Sequence, residues 1–171
     1  IVQSLVGSEM CIRDSWYEGG IIKELDGEYL NNKKHKKWIY WSKNGQKTEE
    51  INYDNGVHHG SHIKWFGEKS DQHKKFHINY KDGKKDGNWR HWYSSGIDSL
   101  KATYLNGEKD GHWIWWRKNG LKDKEGFYKK EKKHGLWTIW NDSTGSAYHK
   151  LHEETYVTVS YTHLTLPTTS K

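Results

Sequence analysis

Five tyrosines, Tyr29, Tyr53, Tyr80, Tyr104 and Tyr128, recur at spacings of 24, 27, 24 and 24 residues, and each opens a copy of one pattern. The clearest copies are Tyr80-Lys-Asp-Gly83-Lys-Lys-Asp-Gly87-Asn-Trp89-Arg-His-Trp92 and Tyr104-Leu-Asn-Gly107-Glu-Lys-Asp-Gly111-His-Trp113-Ile-Trp-Trp116. The copy from Tyr29 keeps Trp38 and Trp41 but has Asn32 and Lys36 at the glycine positions. The copy from Tyr53 keeps Gly56, Gly60 and Trp65, puts His62 at the first tryptophan position, and carries about three extra residues between Gly67 and His73. The copy from Tyr128 keeps Gly135, Trp137 and Trp140, with Glu131 in place of the first glycine, and Trp16 to Gly20 reads as the tail of a further copy. A chain so patterned must stack equivalent units on one another, because no single unit can bury its apolar face alone.

Each unit reads as a β-hairpin. Short aromatic-rich runs bounded by Gly, Asn and Asp are strands and turns, and Asn-Gly and Asp-Gly supply the positive φ angles of tight turns. A glycine every few residues is costly in helices. Side chains alternate along a strand, so parity assigns faces. One face collects Trp38, Tyr40, Ile51, Tyr53, Ile78, Tyr80, Trp89, Ala102, Tyr104, Trp113, Trp115, Trp137 and Ile139, with Tyr128 in the equivalent place. The opposite face carries Trp41, Trp65, Trp92, Trp116 and Trp140 among Lys, Arg and Thr. Gly56, Gly60, Gly83, Gly87, Gly107, Gly111 and Gly135 are read as turn glycines. The expected fold is all-β, an elongated twisted antiparallel sheet of tandem hairpins; five hairpins at about 9.6 Å each span roughly 48 Å.

The two ends read differently from the middle. Met10-Cys11-Ile12-Arg13-Asp14 can be encoded by ATGTGTATAAGAGAC, whose reverse complement encodes Val159-Ser160-Tyr161-Thr162-His163. Two stretches of one natural protein have no reason to be complementary strands of one DNA element. Residues 1–15 and 158–171 are therefore read as translated sequencing-adapter sequence, expected to be disordered, and residues 16–157 as the repeat array. Met10, Cys11 and Pro167, each the only residue of its type, fall in those ends. The array is thus expected to be a gene fragment, and cysteine usage sets no redox compartment.

Within the array, all eleven tryptophans offset a scarcity of Leu, Val and Ala, which suits a thin aromatic-stabilised sheet and not a conventional globular core. No apolar run approaches a membrane span. The net charge of +6 comes from lysines interleaved with acids, and usually serves solubility.

The pattern Tyr-x-Asn/Asp-Gly-x-Lys-His/Asp-Gly-x-Trp-x-x-Trp resembles the MORN-repeat variant, and more narrowly is similar to bacterial proteins described as YwqK-type antitoxins. The resemblance covers residues 16–157, and it implies a binding scaffold with no catalysis of its own. Asn32, Lys36, His62 and Glu131 depart from the pattern and are expected to weaken their units.

His58-His59-Gly60-Ser61-His62 is the densest histidine cluster, but zinc needs three or four convergent ligands. His59 shares its repeat position with His35, Asp86, Asp110 and His134, which points to turn chemistry, so no metal and no cofactor is expected. No nucleophile with a base, carboxylate pair or phosphate-cradling loop stands out, so no catalytic residue is assigned. Nucleic acid is disfavoured, because the aromatics that could stack bases are needed to build the sheet. Cell-wall-binding hairpin repeats typically show Trp-Tyr-Tyr runs that this chain lacks. The row Trp41, Trp65, Trp92, Trp116 and Trp140 is the candidate binding stripe, against the alternative that each packs on a neighbouring hairpin. The expected function is a protein-binding repeat scaffold, and the resemblance implies that its partner is a toxin it neutralises. The alternatives are a membrane-surface protein binding anionic lipid, or the tail of a longer protein.

Overall fold

The computed structural model describes residues 2–5, 10–67, 73–142 and 149–157. Among them it contains no helix and one antiparallel sheet. The strands are β1 (Val2–Leu5), β2 (Met10–Trp16), β3 (Lys23–Leu30), β4 (Lys33–Trp41), β5 (Lys47–Asp54), β6 (Val57–Trp65) and β7 (Lys74–Lys81), followed by β8 (Lys84–Trp92), β9 (Asp98–Leu105), β10 (Glu108–Lys109), β11 (Gly111–Trp116), β12 (Lys122–Lys129), β13 (Lys132–Trp140) and β14 (Lys150–Tyr156). They pair in chain order, with β10 and β11 two pieces of one strand position beside β9. The expected all-β, tandem-hairpin sheet is the fold.

Five connections are two-residue turns with both central residues at positive φ, the geometry that matches the twist of the flanking strands. They are Asn31-Asn32 (φ 50 and 59), Asn55-Gly56 (47 and 84), Asp82-Gly83 (49 and 78), Asn106-Gly107 (52 and 93) and Lys130-Glu131 (48 and 65). Asn32 and Glu131 therefore keep the left-handed backbone without glycine.

Gly60, Gly87 and Gly135 lie inside β6, β8 and β13, and Gly111 begins β11, so these four are not turn residues as expected. They occupy bulges in which three residues face one on the preceding strand: between the pairs His58↔Tyr53 and His62↔Ile51 three residues face Asn52, and between Lys85↔Tyr80 and Trp89↔Ile78 three face Asn79. A bulge and a turn need positive φ alike, so glycine spacing does not separate them. Lys36 fills the same place at φ 57.

Residues 1–15, expected to be disordered, carry two strands. β2 pairs with β3 through Cys11↔Tyr29 and Arg13↔Gly27, ending in a register shift before Trp16 like the one before Trp41. An unpaired strand edge offers free N–H and C=O groups to any extended segment, which accounts for the pairing. Residues 158–171 lie outside the described residues, as do 68–72, where most of the extra residues of the second unit fall.

The core is a side-chain layer on one face of a single sheet. Its buried residues are Trp38, Ile51, Ile78, Ala102, Tyr104, Trp113 and Trp137, all on the face that parity assigned.

Candidate functional site

Register lines Trp38, Trp113 and Trp137 opposite a small residue of the preceding strand, Gly27, Ala102 and Gly126. Gly27 faces Trp38 and Gly126 faces Trp137 so closely that a Cβ on either glycine would lie 2.3 and 2.2 Å from an indole carbon. The flattened ring reaches a carbonyl exposed by the bulge: Trp38 Nε1 donates to Glu28 O at 3.1 Å, Trp113 Nε1 to Thr103 O at 3.1 Å and Trp137 Nε1 to Phe127 O at 3.0 Å. Trp89 faces Ile78 instead. Trp89 Nε1 is enclosed without a hydrogen-bond partner among the described residues.

Over these rings lies a row of lysines whose role the sequence did not disclose. Lys34, Lys85, Lys109 and Lys133 each stand five residues after a repeat tyrosine. The ammonium of Lys34 sits 4.3 Å from the Trp38 ring centre and 5.1 Å from that of Tyr53. Lys85 sits 4.5 Å from Trp89 and 4.9 Å from Tyr104. Lys109 lies 5.4 and 5.1 Å from Trp113 and Tyr128, and Lys133 4.5 and 4.6 Å from Trp137 and Tyr156. These are cation–π distances. Burial opposes the charge on Lys34, yet its pKa is raised because the Tyr40 hydroxyl accepts from it at 3.0 Å. Tyr156 accepts from Lys133 at 2.9 Å and raises its pKa likewise. The Tyr104 hydroxyl is pushed up to about 12, chiefly by burial.

The two faces differ in how they handle charge. On the face opposite the aromatic core, lysines and arginines close onto carboxylates: Lys37–Glu50 at 2.8 Å, Arg90–Asp98 at 2.9 Å, Lys122–Glu125 at 2.9 Å and Lys150–Glu153 at 2.6 Å. On the aromatic face Lys34, Lys85 and Lys133 make no ion pair among the described residues, and Lys109 reaches Glu131 at 3.7 Å.

The second unit replaces both parts. His58 stands at the lysine position and His62 at the tryptophan position, their ring centres 5.7 Å apart. His58 Nε2 lies 3.2 Å from Tyr53 Oη, and His62 Nε2 lies 2.7 Å from Glu49 Oε1. Burial first, then His62 and Lys34, lowers the His58 pKa. Among the described residues no three His, Cys, Asp or Glu side chains form a group able to hold a metal ion.

Trp41, Trp65, Trp92, Trp116 and Trp140 do form one row, half-buried, each directly after a register shift. Arg90, Lys101 and Lys122 lie 5.2, 5.1 and 5.3 Å over Trp92, Trp116 and Trp140. Their backbones tie consecutive units: Tyr17 donates to Trp41 O, Tyr93 to Trp116 O and Arg117 to Trp140 O, each at 2.7 Å. This row is fastened into the frame. His59, Asp86 and Asp110 also act between units; His59 and Asp86 lie in strands and Asp110 in the break between β10 and β11, none of them in a turn. His59 meets Asp82 at 3.2 Å, while Asp86 and Asp110 accept the backbone N–H of Asn106 at 2.9 Å and Lys130 at 3.3 Å.

No protein-family model and no curated protein sequence matches this chain.

Proposed function

We propose that this chain is a non-enzymatic scaffold whose aromatic face binds another protein. The observation that carries the reading is a row of ammonium groups, Lys34, Lys85 and Lys133, held on Trp and Tyr rings with no ion pair among the described residues. Cations held in place in this way are poised to meet carboxylates, and Trp and Tyr dominate the energetics of protein interfaces. The resemblance to the MORN-repeat variant supports a scaffold, and the antitoxin description attached to its bacterial members makes a toxin the partner to test first. Lysines beside Tyr and Trp also suit an anionic lipid surface, the second reading.

The test is affinity capture from native lysate with the full chain, alongside the variant Lys85→Gln/Lys109→Gln/Lys133→Gln. A stoichiometric protein retained by the wild type and lost by the variant supports the scaffold, and its toxicity on expression decides the antitoxin reading. Retention of lipid alone, released at high salt where lysine attachment is screened, transfers the assignment to the membrane surface. Equal retention by both proteins removes the aromatic face from the function.

A further inference from the structure

The lysine row has a spacing that selects its ligand, an inference that rests on the scaffold reading above. Lys85, Lys109 and Lys133 occupy β8, β10 and β13, every second strand position, with Tyr104 and Tyr128 between them. Strands lie about 4.8 Å apart, so consecutive ammonium groups recur every ~9.6 Å across the sheet. Lys34 continues the row from β4, with His58 at the intervening position on β6.

Few backbones present side chains to one side at that interval. An extended β-strand returns to the same face every second residue, about 6.6 Å along. An α-helix needs seven residues and about 10.5 Å, and drifts around its axis with each repeat. A polyproline II segment turns once every three residues and rises about 9.3 Å in doing so. It alone keeps one side chain per turn in step with the row. Its prolines suit the aromatic surface, since polyproline segments dock in aromatic-lined grooves with little ordering entropy to lose. Tyr128, half-buried between Lys109 and Lys133, provides that surface.

We propose that the aromatic face docks a polyproline II segment of a partner protein that carries Asp or Glu at every third residue and runs across the strands. Its carboxylates would meet Lys85, Lys109 and Lys133 in turn, and the residues between the last two would lie on Tyr128. On the opposite face Arg90 and Lys122, which lie over Trp92 and Trp140, are bound to Asp98 and Glu125 at 2.9 Å, whereas Lys85 and Lys133 make no ion pair among the described residues and Lys109 reaches Glu131 only at 3.7 Å.

The experiment titrates the full chain with a fluorescent peptide of about four Glu-Pro-Pro triplets, each triplet being one polyproline turn. The comparison probes are a peptide of the same composition with its glutamates contiguous, a helical peptide with glutamate at heptad spacing, and an oligothymidine. The expected result is binding of the triplet peptide about tenfold tighter than the contiguous one, with several-fold loss for each of Lys85→Gln, Lys109→Gln and Lys133→Gln. Lys85→Arg, which keeps charge and ring contact, should retain binding, and Lys37→Gln on the other face should leave it unchanged. Equal affinity for triplet and contiguous peptides overturns the proposal in favour of charge alone. Tighter binding of the helical peptide or the oligothymidine overturns it in favour of those ligands. No peptide binding, with the captured protein of the previous experiment still lost on lysine substitution, overturns the polyproline proposal and leaves the scaffold standing.

Discussion

Gly126→Ala tests the packing rule on which the aromatic face depends. Gly126 has an ordinary strand backbone, absent from the residues with positive φ. On backbone grounds alone, alanine there should be neutral or better by up to about 1 kcal/mol, because glycine loses more conformational freedom on folding. The structure reverses that sign. The added methyl would stand 2.2 Å from the Trp137 ring, within the radius where something must move, and the obstacle is a rigid indole. Lifting the ring gives up its seat, now 4% exposed, and its 3.0 Å bond to Phe127 O. Overpacking costs about 1–3 kcal/mol and the hydrogen bond about 1 kcal/mol, so the net loss is about 2–3 kcal/mol. For a chain of this size that lowers the thermal midpoint by about 5–10 °C. Urea and thermal denaturation followed by circular dichroism measure it. The decisive comparison is the same substitution in a Trp137→Ala background, where the methyl meets no ring and alanine should be neutral or stabilising. An equal cost in both backgrounds refutes the ring-over-glycine packing.

Trp113→Ala should cost about 3–5 kcal/mol, as a buried aromatic truncation does, and clearly more than Trp92→Ala, which is half-buried; a Trp113 cost below about 1 kcal/mol would remove that face from the core. Lys36→Gly relieves a left-handed lysine at φ 57, about 1–2 kcal/mol of backbone strain. It gives up the Lys36–Glu28 pair, 2.9 Å long with its lysine half-exposed, worth about 0–1 kcal/mol; urea denaturation should show net stabilisation, and a destabilised variant refutes the strain. His58, His77 and His91 all have pKa values lowered chiefly by burial from 6.5. The unfolded chain therefore takes up their protons first, and their contribution, complete above pH 6.5, is lost as pH falls toward the folded values. The thermal midpoint should drop between neutral pH and about pH 5 at constant ionic strength; a midpoint that rises on acidification contradicts the assignment.

The hairpins, their order and the two faces were legible in the sequence because each rests on local chemistry. Asn-Gly and Asp-Gly mark turns by φ, and alternation places Trp113 with Ala102 whatever the rest of the chain does. The bulges were not legible. A period of two cannot show that three residues oppose one, so Gly87 and Gly111 passed for turn glycines. The lysines were visible at a fixed distance from each tyrosine, but as part of a pattern and without a role. Only cross-strand register shows that Lys85 lies over Trp89 and Tyr104. The same holds for Gly27 and Gly126, whose meaning lies in a ring on the next strand. Asn32, Lys36 and Glu131 looked like failures of the pattern, yet all three take up the left-handed angle the pattern requires.

The ties between units run to nearest neighbours only: the N–H of Gly83 reaches back to His58 O at 2.9 Å, and that of Gly107 to Lys85 O at 2.8 Å. Such an array behaves as a linked chain in which each joint has its own strength. The joint at β6 has neither an indole seated on the preceding strand nor an ammonium between rings, and it relies on two histidines. Under tension or heat the array should part there first, splitting into a short block from β2 to β5 and a long block from β7 to β14. The three-lysine stretch on β8, β10 and β13 belongs wholly to the long block, so this weak joint acts as a fuse: it can open without breaking the register of the row.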